Sequence, residues 1–315
     1  MLFRSIRGPV DSTITPDLCL RIGQAAGQVL KAEGWDTVLI GKDTRVSGYM
    51  LESALEAGFI AAGVNVRLLG PLPTPGVAYL TKSSRGQFGL VISASHNTYL
   101  DNGIKIFDAN GVKISKELQH KIEKAINTNS LQIVSADKLG KARRFDESGD
   151  RYVEFCKSTV PNNLSFQGLR IVIDCAHGAA YKVTPTIFQE LGAEVIAIGV
   201  SPDGYNINDK CGSTHPELAR QTVLDHRADF GISLDGDADR IIMCDEKGSI
   251  IDGDQIIGAL ALLWKKKRIL KGGVVGTLMS NYGLEKFFKR KKIKFVRANV
   301  GDRYVKEIMQ NKKYN

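Results

Sequence analysis

Apolar runs that end in polar turns recur along this chain of 315 residues. Thr37-Val38-Leu39-Ile40-Gly41 leads into a helical pattern from 47 to 62 and then into the apolar-rich stretch 64–70. The layout returns at 171–174, 179–191 and 194–199, and again at 274–276, 282–291 and 293–297. Uninterrupted apolar strands alternating with helices predict buried, largely parallel sheets covered by helices on both faces. The recurrence predicts tandem, related three-layer α/β/α domains with mixed, largely parallel sheets. Polar, charged segments at 139–149 and 245–248 mark the seams, giving expected domains of 1–148, 149–247 and 248–315. No closing strand is evident after residue 297.

Two of the strand ends carry unusual chemistry. Val91-Ile92-Ser93-Ala94-Ser95-His96-Asn97 delivers hydroxyl, imidazole and amide groups onto one turn, behind the wholly apolar 88–92. Open α/β sheets bind ligands at such carboxyl ends. A serine hydroxyl becomes a nucleophile only beside a base or a positive field, which His96 or Lys105 can supply. The bland alternative is a turn in which Ser95 and Asn97 bond local backbone groups. Farther on, Ile232-Ser233-Leu234 runs into Asp235-Gly236-Asp237-Ala238-Asp239-Arg240. Carboxylates at every second position project to one side and can converge on one ion, the bland alternative being a solvated acidic turn whose like charges repel. An all-oxygen set selects Mg²⁺ or a similar hard cation. A calcium EF-hand starting at Asp235 is excluded, because Arg240 stands where that loop needs its glycine. A phosphatase with Asp235 as nucleophile and Asp237 as acid also fits a strand followed by DxD, but it leaves Ser95 without a task.

Composition narrows the setting. With 43% hydrophobic and 24% charged residues, the chain reads as globular. No apolar run approaches the roughly 20 residues that span a bilayer, so no membrane is expected. Five dispersed cysteines without CxxC spacing predict reduced thiols and a cytoplasmic protein. The net charge of +9 gathers late, in Lys265-Lys266-Lys267-Arg268 and Lys289-Arg290-Lys291-Lys292. No aromatic residues interleave these runs to stack on bases, so they read as cations at helix C-termini rather than a nucleic-acid surface. Gly41 to Gly48, including Lys42, Arg45 and Ser47, offers cations and N–H groups to a phosphate but lacks the P-loop pattern. His177 and His215 read as structural.

Together these residues resemble the alpha-D-phosphohexomutase superfamily along nearly the whole chain. The resemblance is carried by Ile6-Arg7-Gly8, Gly41 to Gly48, Pro73-Thr74-Pro75, Ser93 to Asn97, Asn102 to Lys105 and Asp235 to Arg240. It continues through Gly276-Thr277-Leu278-Met279-Ser280-Asn281 and Gly301-Asp302-Arg303-Tyr304-Val305. It implies a phosphoserine at Ser95, and one Mg²⁺ held by Asp235, Asp237, Asp239 and an oxygen of that phosphate. It implies interconversion of glucosamine 6-phosphate and glucosamine 1-phosphate through glucosamine 1,6-bisphosphate, with Arg7, His96, Lys105 and Arg240 around the transfer site. Arg45, Lys42 and Asn97 are expected to bind substrate or phosphate. The expected partner is a small-molecule amino-sugar phosphate, and a homodimer is compatible with the sequence. A phosphomannomutase or phosphoglucomutase activity and a non-catalytic sugar-phosphate-binding remnant stand as alternatives.

Three departures from the family pattern matter. Phe3-Arg4-Ser5 replaces the usual opening, and Thr98 replaces the proline that follows Asn97, which loosens the nucleophile loop. The sugar-gripping loop of the third domain and the phosphate clamp of the fourth have no counterpart in 248–315. The chain is therefore expected to hold about two and a half of four domains and to turn over feebly, because remote binding orients the reacting centre.

Overall fold

The computed structural model describes residues 6–84, 87–127 and 132–315. Phe3-Arg4-Ser5 lies outside them. Two compact units are present, Met1–Ser249 and Ile250–Asn315.

The first unit holds two sheets. One is built from β1 (Ile6–Pro9), β2 (Thr37–Lys42), β3 (Asn65–Pro71), β4 (Phe88–Ile92), β5 (Asp101–Asp108) and β6 (Ala142–Arg144), in the order β1-β5-β4-β2-β3-β6. β1, β4, β2, β3 and β6 all run in one direction, and β5, between β1 and β4, alone is reversed. Strand alternation sorts the core. Val38, Ile40, Phe88 and Leu90 face α1 (Pro16–Ala32), α2 (Val46–Ala61) and α4 (Lys116–Asn127). Leu39 and Val91 face the other way, toward α3 (Thr74–Ser83) and α5 (Ser148–Ser158). The charged stretch expected to be a seam therefore includes an edge strand, β6, paired with β3. The proposed boundary at 148 falls inside one compact unit, where Tyr152, Val153 and Val183 share a core with Leu39 and Val91.

The second sheet carries β10 (Ile241–Asp245), β9 (Phe230–Leu234), β7 (Arg170–Asp174) and β8 (Glu194–Ile198) in that order, with β10 antiparallel. Its helices are α6 (Val183–Glu190) and α7 (Glu217–His226). α6 starts four residues later than the pattern from 179 predicts. Ala176 and His177 adopt left-handed φ of 52° and 50°, and the Ala179 amide donates to the Gly236 carbonyl at 2.8 Å. The segment 176–182 thus turns to meet the acidic loop, and helix formation waits until it has done so.

The second unit contains β11 (Ile250–Ile251), α8 (Gly253–Lys266), β12 (Gly273–Thr277), α9 (Tyr282–Arg290), β13 (Lys294–Ala298) and α10 (Asp302–Lys312). β12 and β13 pair in parallel, and Phe288, Leu284 and Ala261 form the core beneath them. A full capping box at Asp252 and Gln255 starts α8. Both basic runs fall at helix C-termini, and Lys265 Nζ donates to the carbonyls of Lys291 and Lys292 that α9 leaves open. All five cysteines are free, and among the described residues no helix is long and apolar enough to cross a membrane.

α1 and α2 approach closely through glycines. A Cβ on Gly23 would lie 2.5 Å from the Leu55 carbonyl oxygen, and one on Gly58 would strike that of Leu20. In an isolated helix Gly58→Ala would gain about 1 kcal/mol. Here overpacking against backbone reverses the sign, and we expect a net loss of about 1–3 kcal/mol in urea unfolding. An alanine variant more stable than the parent would contradict this packing.

Candidate active site

The two strands singled out by the sequence end against each other. β4 stops at Ile92 and β9 at Leu234, and their turns meet at the carboxyl edges of both sheets. Ser95 Oγ donates to Asp235 Oδ2 at 2.5 Å across 140 positions of chain. Ser95 is buried, with a left-handed φ of 55° that costs a non-glycine residue roughly 1–2 kcal/mol. Its amide donates to Ser93 Oγ at 2.9 Å, and its carbonyl accepts from Arg45 and Asn208.

The acidic loop gathers its side chains as the i, i+2, i+4 spacing predicts. One oxygen from each of Asp235, Asp237 and Asp239 lies within 4.8 Å of the others. Asp235 Oδ1 accepts from the amides of Asp239 and Arg240, both at 3.1 Å. Asp237 Oδ2 accepts from Lys105 Nζ at 2.5 Å and from the Thr74 hydroxyl. Lys105 Nζ also donates to Asp239 Oδ2 at 2.7 Å. Lys105 reaches the cluster from β5, directly opposite Val91 on β4. Gly236 admits this approach, since a Cβ there would lie 2.7 Å from the Ser95 carbonyl oxygen.

Burial and charge set the protonation states. Burial, and then the neighbouring Asp237 charge, push the Asp235 carboxyl up to about 6. Burial acts the same way on Asp237, but Lys105 outweighs it and holds that group below the usual carboxylate range. Burial opposes the Lys105 charge, and Asp237 and Asp239 overcome it, so its pKa is raised. His96 is shifted down by burial and by the cations Arg240 and Arg7, which favours the neutral imidazole. Its buried Nδ1 has no protein partner. Arg7, on β1 opposite Gly103, lies in the field of Asp237 and Arg240, while Arg240 itself is largely exposed.

These residues suit a hard divalent cation. The donor set is all oxygen, two of its members are fully buried, and Asp237 Oδ1 is buried without a partner in the protein. Ser95 Oγ already touches one member of the set, so a group carried on Ser95 would border the same point.

Two expected phosphate ligands are placed elsewhere. Arg45 is fully buried, and every one of its described bonds goes to Asp43 or to carbonyls of the nucleophile loop. Lys42 is buried in an ion pair with Glu52 and lies 4.0 Å above the Tyr49 ring. Neither presents a donor to a ligand, because their strand end turns inward. Asn97 sits beside the site, its amide donating to Asp101 Oδ2 at 2.6 Å. The loop is tethered at Thr98 all the same, since Arg45 donates to the Thr98 carbonyl. His177 is structural: its Nδ1 accepts from the Ser201 amide and its carbonyl from the Thr44 hydroxyl. His215 is exposed.

Sequence reasoning missed Asp43, Ser93 and Asn208 as supports. Asp43 and Ser93 lie within quoted motifs, but nothing in spacing says that they turn inward. Asn208 carries no local signal at all.

Residues 4–132, 150–248 and 252–315 match, in order, alpha/beta/alpha domains I, II and III of phosphoglucomutase/phosphomannomutase. Phosphoglucosamine mutase 2 of Shewanella baltica strain OS185 is 56% identical over 310 residues, covering 97% of this chain and 69% of that protein. Phosphoglucosamine mutase of Alcanivorax borkumensis is 54% identical over 311 residues, 98% of this chain and 70% of that one. A solved phosphoglucomutase/phosphomannomutase family protein from Burkholderia thailandensis superposes with a TM-score of 0.85 at 25% identity, over 98% of this chain and 68% of its own. With a serine hydroxyl seated on an acidic cluster and relatives this close, the chain belongs to the phosphoglucosamine mutase family of the alpha-D-phosphohexomutases.

Proposed function

We propose that this chain interconverts D-glucosamine 6-phosphate and α-D-glucosamine 1-phosphate by way of a phosphoserine at Ser95. The carrying observation is the 2.5 Å contact between Ser95 Oγ and Asp235 inside a cluster of three carboxylates and one ammonium. The amino-sugar assignment rests on the 54–56% identity to proteins named phosphoglucosamine mutase.

In this reading a sugar hydroxyl attacks the phosphorus on Ser95. The bond to Oγ breaks, a bond to the sugar oxygen forms, and glucosamine 1,6-bisphosphate results. The bisphosphate then returns its other phosphoryl group to Ser95 and leaves as the isomer. Mg²⁺ held by Asp235, Asp237 and Asp239 would neutralise charge on the transferred group when bound. Lys105 lies on the inner side of the cluster, and Arg7 and Arg240 on the rim, where they stabilise charge spread over the equatorial oxygens. Neutral His96 is suited to take or return the proton of the sugar hydroxyl. The aspartate-nucleophile reading is disfavoured, since it leaves Ser95, whose hydroxyl is seated on Asp235, without a task.

Ser95→Ala should remove the mass increment of one phosphoryl group that wild type gains from glucosamine 1,6-bisphosphate and Mg²⁺. It should also lower mutase turnover by at least about a thousandfold. A variant that still takes up the group would place the nucleophile elsewhere.

Mg²⁺ affinity should depend on pH. Asp235 must lose its proton to bind a cation, so below its raised pKa of about 6 the apparent affinity should fall toward roughly tenfold per pH unit. Titration calorimetry from pH 7.5 to 5 checks this, and a flat profile would exclude a raised Asp235 pKa in the cation site.

A further inference from the structure

Arg45 heads the largest side chains that are fully buried, and its acceptors are unusual. Nε donates to Asp43 Oδ2 at 2.8 Å. Nη2 donates to the carbonyls of Ser95 at 3.0 Å and Asn97 at 2.8 Å. Nη1 donates to the carbonyls of Thr98 and, at 3.0 Å, Asp101. One carboxylate balances the charge, and four main-chain carbonyls of a single loop take the remaining donors. A buried guanidinium is costly unless so satisfied, and its fork reaches more acceptors than a lysine ammonium can.

The other end of the pair reaches the same residue. Asp43 Oδ2 accepts from Ser93 Oγ at 2.6 Å, and that hydroxyl accepts from the Ser95 amide at 2.9 Å. A closed circuit results: Ser95 N–H to Ser93, to Asp43, to Arg45, and back to the Ser95 carbonyl. Both sides of the nucleophile's backbone are tied to one ion pair. Between them Ser95 keeps its left-handed φ of 55°, the conformation in which Oγ meets Asp235. An untethered serine would relax to β or right-handed geometry and carry Oγ away from the acids.

We propose that Asp43 and Arg45 form the positioning device of the nucleophile, so that transfer through Ser95 depends on two side chains that touch neither sugar nor phosphate. This rests on Ser95 being the phosphoryl carrier.

The test follows Ser95 phosphorylation by rapid-quench intact mass, with the full chain, Mg²⁺ and glucosamine 1,6-bisphosphate. Arg45→Lys keeps the charge and loses the fork; Ser93→Ala deletes one hydroxyl. At saturating bisphosphate, both rates should fall, Arg45→Lys by at least about tenfold. The half-saturating bisphosphate concentration and the Mg²⁺ dissociation constant should stay within about twofold of wild type. The double variant should lose less than the product of the two, because both act through one circuit.

Rates within about twofold of wild type in folded variants would overturn the inference. So would a rate loss matched by an equal loss of Mg²⁺ affinity, which marks general damage. If Arg45→Lys does not fold, Ser93→Ala decides alone. Wild-type protein that takes no phosphoryl group sinks the transfer reading and this inference together; a phosphorylated wild type with unaffected variants sinks only the inference.

Discussion

The hydrogen bond from Ser95 to Asp235 joins the ends of two sheets, and the rest of the first unit is arranged so that it can exist. A hydroxyl in a strained turn and an aspartate in a buried acidic cluster are both unfavourable alone. The strain is held by the Arg45 and Asn208 bonds to one carbonyl, and the like charges of the acids are offset by Lys105. Further bonds between the two sheets' loops fix the register of this meeting. The Thr74 amide donates to the Asp237 carbonyl and the Val46 amide to the Gly204 carbonyl, each at 2.9 Å.

That arrangement explains why burial is so extensive for such polar groups. Asp43, Arg45, Asp235 and Asp237 are all at 0% exposure, and a lone charge there would be prohibitive. Each is paired, apart from Asp237 Oδ1. A low local dielectric strengthens every cation–carboxylate contact in the site and makes it suited to moving a phosphoryl group.

Much of this was legible in residue order. The apolar run 88–92 behind Ser95, and the alternation of Asp235, Asp237 and Asp239, are local patterns with local geometric consequences. They place the hydroxyl and the acids at strand ends from residue order alone. Legibility failed where the outcome depends on which way a side chain turns. Lys42 and Arg45 look like phosphate ligands by type and position, yet their strand end packs inward and takes both cations with it. α6 begins late and β6 joins the first sheet for reasons of tertiary contact: the Gly236 carbonyl in one case and the open edge of β3 in the other. The resemblance to phosphohexomutases pointed to the right family because it used both loops at once.

The central claim is that the hydroxyl of Ser95 and the three carboxylates share one divalent ion. Phosphorus NMR of the Ser95-phosphorylated chain, titrated with Mn²⁺ in place of Mg²⁺, tests it most directly. The account predicts that the phosphoserine resonance broadens away at stoichiometric Mn²⁺ and survives in an Asp237→Ala variant. A resonance that stays sharp in the parent protein would contradict it.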